Sequence, residues 1–185
     1  MGSKRHGELQ RRSKLMVAEL NAQACDAIAR ASETQLELEK FKTPRSLSAE
    51  QRERITAKLK LLAGTPFDLA GMPFDFSIQP DQESIDLMGQ IGSTLRAAGL
   101  HWEPWHGRGQ PSPVFTQPEM PQAGIVAFTG LMVQIDDSKT PEWGTAVNII
   151  WDTLKSEGLE IDRRRITDGT ETPNAIHIYI GRKPQ

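Results

Sequence analysis

Residues Thr94–Leu100, TLRAAGL, return as Thr153–Leu159, TLKSEGL, and this echo constrains the fold more than any other feature of the chain. Each copy closes a segment whose apolar residues recur at helical spacing: Leu87, Met88, Ile91 and Leu95 in the first, Ala146, Val147, Ile150 and Leu154 in the second. That spacing predicts two amphipathic helices, each burying one stripe. Gly99 and Gly158 stand just past the last turn, where left-handed backbone is favoured, and Leu100 or Leu159 follows to cover the helix end.

The same alignment carried upstream matches Gly71 with Gly130, Glu83 with Glu142 and Ile91 with Ile150. Alternating apolar residues change parity at the glycine in both copies. Phe67 and Leu69 precede Gly71 and Phe74, Phe76 and Ile78 follow it; Val126 and Phe128 precede Gly130 and Leu131, Val133 and Ile135 follow it. A glycine at such a switch predicts a bulge or tight bend. After each helix comes a short strand, LHWEPW or LEIDRRRI. Two strand-helix-strand units, 66–102 and 125–161, predict an α/β domain over 65–185, a two-repeat βαβ sandwich with a mostly parallel sheet. NAIHIYIGRKP alternates Ile176, Ile178 and Ile180 inward and follows too closely for a parallel crossover. TDGTETPN is therefore expected to be a hairpin turn leading to a C-terminal antiparallel edge strand. Residues 107–123, rich in Pro, Gly and Gln, are expected to form a flexible linker.

Ahead of this domain, Val17, Leu20, Ala24, Ala27, Ala31, Thr34, Leu38 and Phe41 are spaced alternately three and four apart, and no Gly or Pro occurs between Gly7 and Pro44. This is a heptad seam on one long helix, so 1–43 reads as a basic N-terminus and a coiled-coil helix. Three alanines make the seam narrow, whereas each leucine buried there would contribute about 1.5–3 kcal/mol. Oligomers held by it should depend on concentration; the alternative is that the stripe packs on the globular part. Pro44 breaks the helix, and Ser48 with Gln51 forms a capping box for a connecting helix within 44–64.

A chain of 185 residues, 37% hydrophobic, holds one packed domain with an appendage. Its longest apolar runs are far shorter than a membrane span, and the basic start has no apolar signal region behind it. His6 departs from the myristoylation pattern that Gly2 opens. The expected location is cytoplasmic or peripheral to the membrane. A formal net charge of -2 excludes a chain built globally to neutralise phosphates, and no nucleic-acid partner is expected. The basic run from Lys4 to Lys14 reads as a solvated terminus or a contact for an anionic surface. Cys25 is the lone cysteine, so neither an intramolecular disulfide nor a cysteine zinc site is available.

KTPRSLSAEQRERITAKLKLLAGTPFDLA, SIDLMGQIGSTLRAAGL and the close IHIYIGRKP resemble a group of uncharacterised bacterial proteins in which a coiled-coil segment, often after membrane-spanning helices, leads into a small α/β domain. The resemblance covers residues 30–185. It implies a membrane-linked accessory or sensor-like module and a membrane-protein partner, and it carries no catalytic residues.

In HWEPWHGR, His101, Glu103 and His106 could ligate a metal and Trp102 and Trp105 could stack on a planar ligand. Strand alternation instead reads this run as an edge strand with amphipathic aromatics, so no metal site is assigned. Ligands of parallel sheets collect beyond the carboxyl ends of strands. Ser77 and Asp81, with Asp136, Asp137, Ser138 and Lys139, are therefore the candidate ligand-binding residues, side by side if the units pair; capping is their other role. DRRRI, 162–166, reads as a charged edge strand, and Gly89 with Gly92 as close helix packing. With no triad, metal set or phosphate loop apparent, the expectation is a non-enzymatic scaffold without a cofactor. Homo-oligomers would form through Val17, Leu20, Ala24, Ala27, Ala31, Leu38 and Phe41. The alternative is a small-ligand-sensing domain.

Overall fold

A computed structural model describes residues 16–17, 19–35, 45–105, 120–166 and 173–183, and the chain divides into two compact units, Met1–Thr43 and Pro44–Gln185. In the first, residues 16–17 and 19–35 are helical (α1) and exposed throughout.

The second unit is a mixed α/β domain. Helix α2, Ala49–Lys60, begins as its capping box predicts: the Gln51 backbone N–H donates to Ser48 Oγ at 3.2 Å, and the Ser48 N–H donates to Gln51 Oε1 at 2.7 Å. Strand β1, Pro73–Ile78, leads through α3, Gln82–Ala97, to the two-residue strand β2, His101–Trp102. After β3, Gly124–Ile125, come β4, Leu131–Asp136, a single 3-10 turn, α4, Thr140–Ser156, β5, Ile161–Ile166, and β6, Ile176–Ile180. Gly99 and Gly158 close α3 and α4 with φ of 106° and 94°, the left-handed backbone that an end-of-helix glycine supplies.

The sheet order is β2-β1-β6-β4-β5, with β3 pairing β1 beyond the end of β2. All pairs are parallel except β4 with β6. The expected antiparallel strand is thus present, but not at the edge. β6 lies inside the sheet, parallel to β1 and antiparallel to β4, and β5 is its neighbour on neither side. Residues 173–175 precede a strand that does not pair with β5, so the connection is not a hairpin; residues 167–172 lie outside the described residues. The physical reason is burial. His177 is as enclosed as Ile176 and Ile178, and a strand covered on both faces belongs in the middle of a sheet.

Since β1 and β4 each lie antiparallel or parallel to β6 in opposite senses, they run antiparallel to each other. Two right-handed strand-helix-strand units whose second strands point outward in opposite directions must be so oriented to keep both helices on one face. Phe74, Phe76, Ile178 and Val133 fill that face with Leu87, Ile91, Ile150 and Leu154 of the helices. Helix α2 does more than connect. It packs on both α3 and α4, burying Ile55 and Leu59, and Gln51 Nε2 donates to the Glu157 carbonyl at the end of α4 at 2.6 Å.

Local geometry departs from expectation before β1. Residues 61–71 are mostly turns, Phe67 is 50% exposed, and Gly71 (φ 75°) bends the chain just ahead of the strand instead of bulging within it. Of the expected linker 107–123, residues 107–119 lie outside the described residues, whereas Ala123 is fully buried against the core.

Candidate functional site

Alternation along β1 and β6 sends Phe74, Phe76, Ile176 and Ile178 to the helical face, and so sends Asp75, Ser77, His177 and Tyr179 to the other. On that face a polar array is enclosed: Asp75, Ser77, Gln134 and His177 are each at most 1% exposed. Register aligns them. Asp75 pairs with His177 and His177 with Gln134, a polar row across three strands.

His177 Nδ1 lies 2.5 Å from Asp75 Oδ1, and Nε2 lies 3.0 Å from Ser77 Oγ. An ionised carboxylate only accepts, so Nδ1 donates to Asp75, and Nε2 shares the second hydrogen bond with the Ser77 hydroxyl. Tyr179 stands edge-on to the His177 ring, centroids 4.2 Å apart, and accepts a bond from Gln134 Nε2 at 2.8 Å. Removing a partner takes a hydrogen bond from a buried polar group, a loss of about 0.5–1.5 kcal/mol for each bond.

Carboxylate, imidazole and hydroxyl in this order is the arrangement that activates a serine nucleophile. Here the hydroxyl is sealed. A Cβ on Gly124 would fall 2.5 Å from Ser77 Oγ and 2.7 Å from the Trp105 ring, so β3 and Trp105 close over the serine. The array as built fixes β1 against β6 and keeps the serine oxygen closed.

Access exists at the other end of the row. Asp75 lines a cavity of about 380 Å³ at the starts of β1 and β6, with Glu103 and Asn174 as the other polar side chains among the described residues and Pro73, Pro104 and Pro173 in its walls. Its volume is in the range of small-molecule sites. Glu103 Oε1 lies 3.5 Å from His101 Nε2, both side chains being substantially exposed.

The residues chosen from sequence fare differently. Ser77 belongs to the buried array. Asp81 caps α3, accepting from the Ser84 N–H at 2.8 Å, and Asp136 accepts from the Ser138 N–H at 3.0 Å and from its hydroxyl. Asp137 accepts from the Thr140 hydroxyl at 3.4 Å, and Lys139 lies 3.5 Å from Glu142 and 4.8 Å above the Trp143 ring. These residues do not form one site. Because β1 and β4 run antiparallel, Ser77 and Asp81 sit at one end of the sheet and Asp136–Lys139 at the other.

Trp102 is buried and stacks on Phe74, while His101 is exposed on the short edge strand β2. His106, Leu38 and Phe41 lie outside the described residues. DRRRI falls on β5, at an edge of the sheet. Gly89 and Gly92 do permit close packing: a Cβ on Gly92 would sit 2.2 Å from the Trp102 ring and one on Gly89 2.6 Å from Met120 Cε. Among the described residues no group of three or more His, Cys, Asp or Glu is placed to hold a metal, and no helix is long and apolar enough to cross a membrane.

Sequence reading missed Asp75, His177, Gln134 and Tyr179. The available signal was the second parity of PFDFSI and IHIYI, where a carboxylate, a hydroxyl, an imidazole and a phenol alternate with the apolar residues. Comparison with family models, curated proteins and solved structures gives no match.

Proposed function

We propose that the chain is a non-enzymatic oligomeric interaction module in which a helical stem clusters copies of the α/β domain. The observation that carries this reading is the exposed seam of α1. Val17 and Leu20 are 54% and 58% exposed, Ala24, Ala27 and Ala31 continue the heptad, and Met16 and Ile28, 65% and 66% exposed, flank it. Apolar side chains at heptad spacing are covered most fully by a second copy of the same helix, because a repeat of 3.5 follows a supercoil and drifts off a straight partner. The two units of the domain are two versions of one plan. Supporting this, Gly71 with Gly130 and Gly99 with Gly158 take positive φ at matched positions.

Sedimentation of the full chain over a range of concentrations tests the module. A dimer or trimer that Leu20→Asp converts to monomer, with the domain's melting unchanged, is the expected result. A strict monomer at every concentration would sink it.

A second reading, a small-ligand-sensing domain serving a membrane-protein partner, is favoured by one observation: the cavity that reaches the buried Asp75. A thermal-shift screen of nucleotides, sugars, amines and divalent ions should then raise the melting temperature with at least one class. No stabilisation by any class counts against it.

A further inference from the structure

Helix α2 carries cations on both flanks, and only one flank is neutralised. Arg54 and Lys58 meet the enclosed carboxylate of Glu157, the residue that caps the end of α4. Helix α3 closes instead on Ala98, which has no charge to offer. On that flank Arg52, Thr56 and Lys60 line a groove of about 540 Å³, with Ser93, Thr94 and Ala97 of α3 opposite them. Among the described residues neither Arg52 nor Lys60 forms an ion pair, and Arg52 Nε is buried without a hydrogen-bond partner. A cationic donor shut away from water normally has an acceptor, so this orphan points to a guest that accepts.

Spacing and shape choose between guests. Eight residues of helix separate Arg52 from Lys60, about 12 Å along the axis, so one phosphate or one carboxylate does not reach both. Two carboxylates set two turns apart on one side of a helix do. The groove runs between two helices, and Ala49, Ala57, Ser93 and Ala97 keep its walls low enough for a third helix backbone to approach. Two acids of α2 lie nearby. Glu50 accepts from the Ser48 hydroxyl at 2.6 Å and Glu53 stands exposed at the rim, and neither is within ion-pair distance of Arg52 or Lys60. The rim carboxylate repels a continuous run of phosphates, whereas a peptide can place a small or basic residue opposite it.

We propose that the groove between α2 and α3 docks an acidic helical segment of a partner protein, with carboxylates two turns apart against Arg52 and Lys60. The proposal rests on the interaction-module reading above and names the face that the module presents.

The test is titration of the full chain, labelled with ¹⁵N, with a capped alanine-rich helical peptide bearing two glutamates two turns apart, and in parallel with the same peptide carrying lysines there. Saturable movement of amide resonances in α2 and α3 by the glutamate peptide alone is expected. Lys60→Gln, at an exposed position, should weaken binding about two- to five-fold, the range of an exposed ion pair. Arg52→Gln should weaken it further, because its guanidinium is the more enclosed of the two. Ala97→Glu puts a carboxylate of the chain's own into the groove and should weaken binding as well, with melting curves reporting that each variant is folded.

No saturation with the glutamate peptide, an equal response to the lysine peptide, or unchanged affinity in Lys60→Gln would overturn the proposal. So would inorganic phosphate that moves the same amides at the same concentration, since the groove would then be a small-anion site. Binding by a chain that sediments as a monomer leaves the groove standing while the clustering reading falls, and an oligomer that ignores the peptide does the reverse.

Discussion

Arg54 of α2 lies 2.7 Å from Glu157, the residue that closes α4. The two ends of this contact differ: the Glu157 side chain is 5% exposed, whereas Arg54 is 54% exposed and Lys58, 2.8 Å from the other carboxylate oxygen, is 46% exposed. One enclosed carboxylate therefore collects two wet cations and ties α2 to α4, as Arg45 ties the approach to α2 to Glu83 on α3 at 2.7 Å.

This geometry sets a pH dependence. Hydrogen bonds from Arg54 first, then from Lys58, hold the Glu157 carboxyl down at about 2 against an ordinary 4.5. Its folded value lies below its unfolded value, so its contribution is full above the ordinary range and disappears as pH falls toward 2. Glu157→Gln should lower stability at neutral pH by about 1–2 kcal/mol, since the exposed cations limit the gain. Urea titrations of both proteins should show the difference shrinking below pH 4.5; a constant gap would remove the linkage.

Within the polar array the cost of truncation should follow the number of partners left behind. His177→Ala takes a hydrogen-bond partner from both Asp75 and Ser77 and opens a void in the sheet, and should cost about 2–4 kcal/mol. Ser77→Ala removes one neutral bond and should cost about 1 kcal/mol. Chemical denaturation of the two variants measures the ranking, and equal losses would mean that the His177 contacts carry no special weight.

Gly92→Ala should be among the most disruptive small changes in the domain. The added Cβ would meet the Trp102 ring, itself packed between Phe74 and Phe76, at 2.2 Å. Forcing α3 off the sheet costs about 1–3 kcal/mol by the usual scale of overpacking. A melting temperature unchanged in this variant would show that the helix can shift without penalty.

Ser48→Ala removes the side-chain half of the capping box and should cost about 1 kcal/mol. The effect should reach beyond α2, because this helix covers both α3 and α4. Amide exchange along all three helices would report it, and faster exchange confined to residues 49–52 would reduce the cap to a local feature.

Much of this was readable in the chain before the coordinates. The capping box at Ser48, the left-handed glycines at 99 and 158, the buried stripes of α3 and α4 and the inward parity of Phe74, Phe76 and Ile78 all follow from spacing within a few residues. Such features are local, and the chain states them through 3.6-residue and two-residue periods. The site was less legible. Asp75 and Ser77 share a strand, but His177 is about a hundred positions away along the chain and reaches them only through the β1–β6 pairing.

What the sequence determined by itself was therefore the kind and face of each element, because backbone sterics, capping and amphipathic period act between near neighbours. Only the tertiary structure decided that β6 enters between β1 and β4, that β1 and β4 run in opposite directions, and that the loops of Asp81 and Asp136 are kept apart. Strand order is settled by which non-local pairings bury both faces of IHIYI while satisfying its histidine, and that competition is between segments rather than within them.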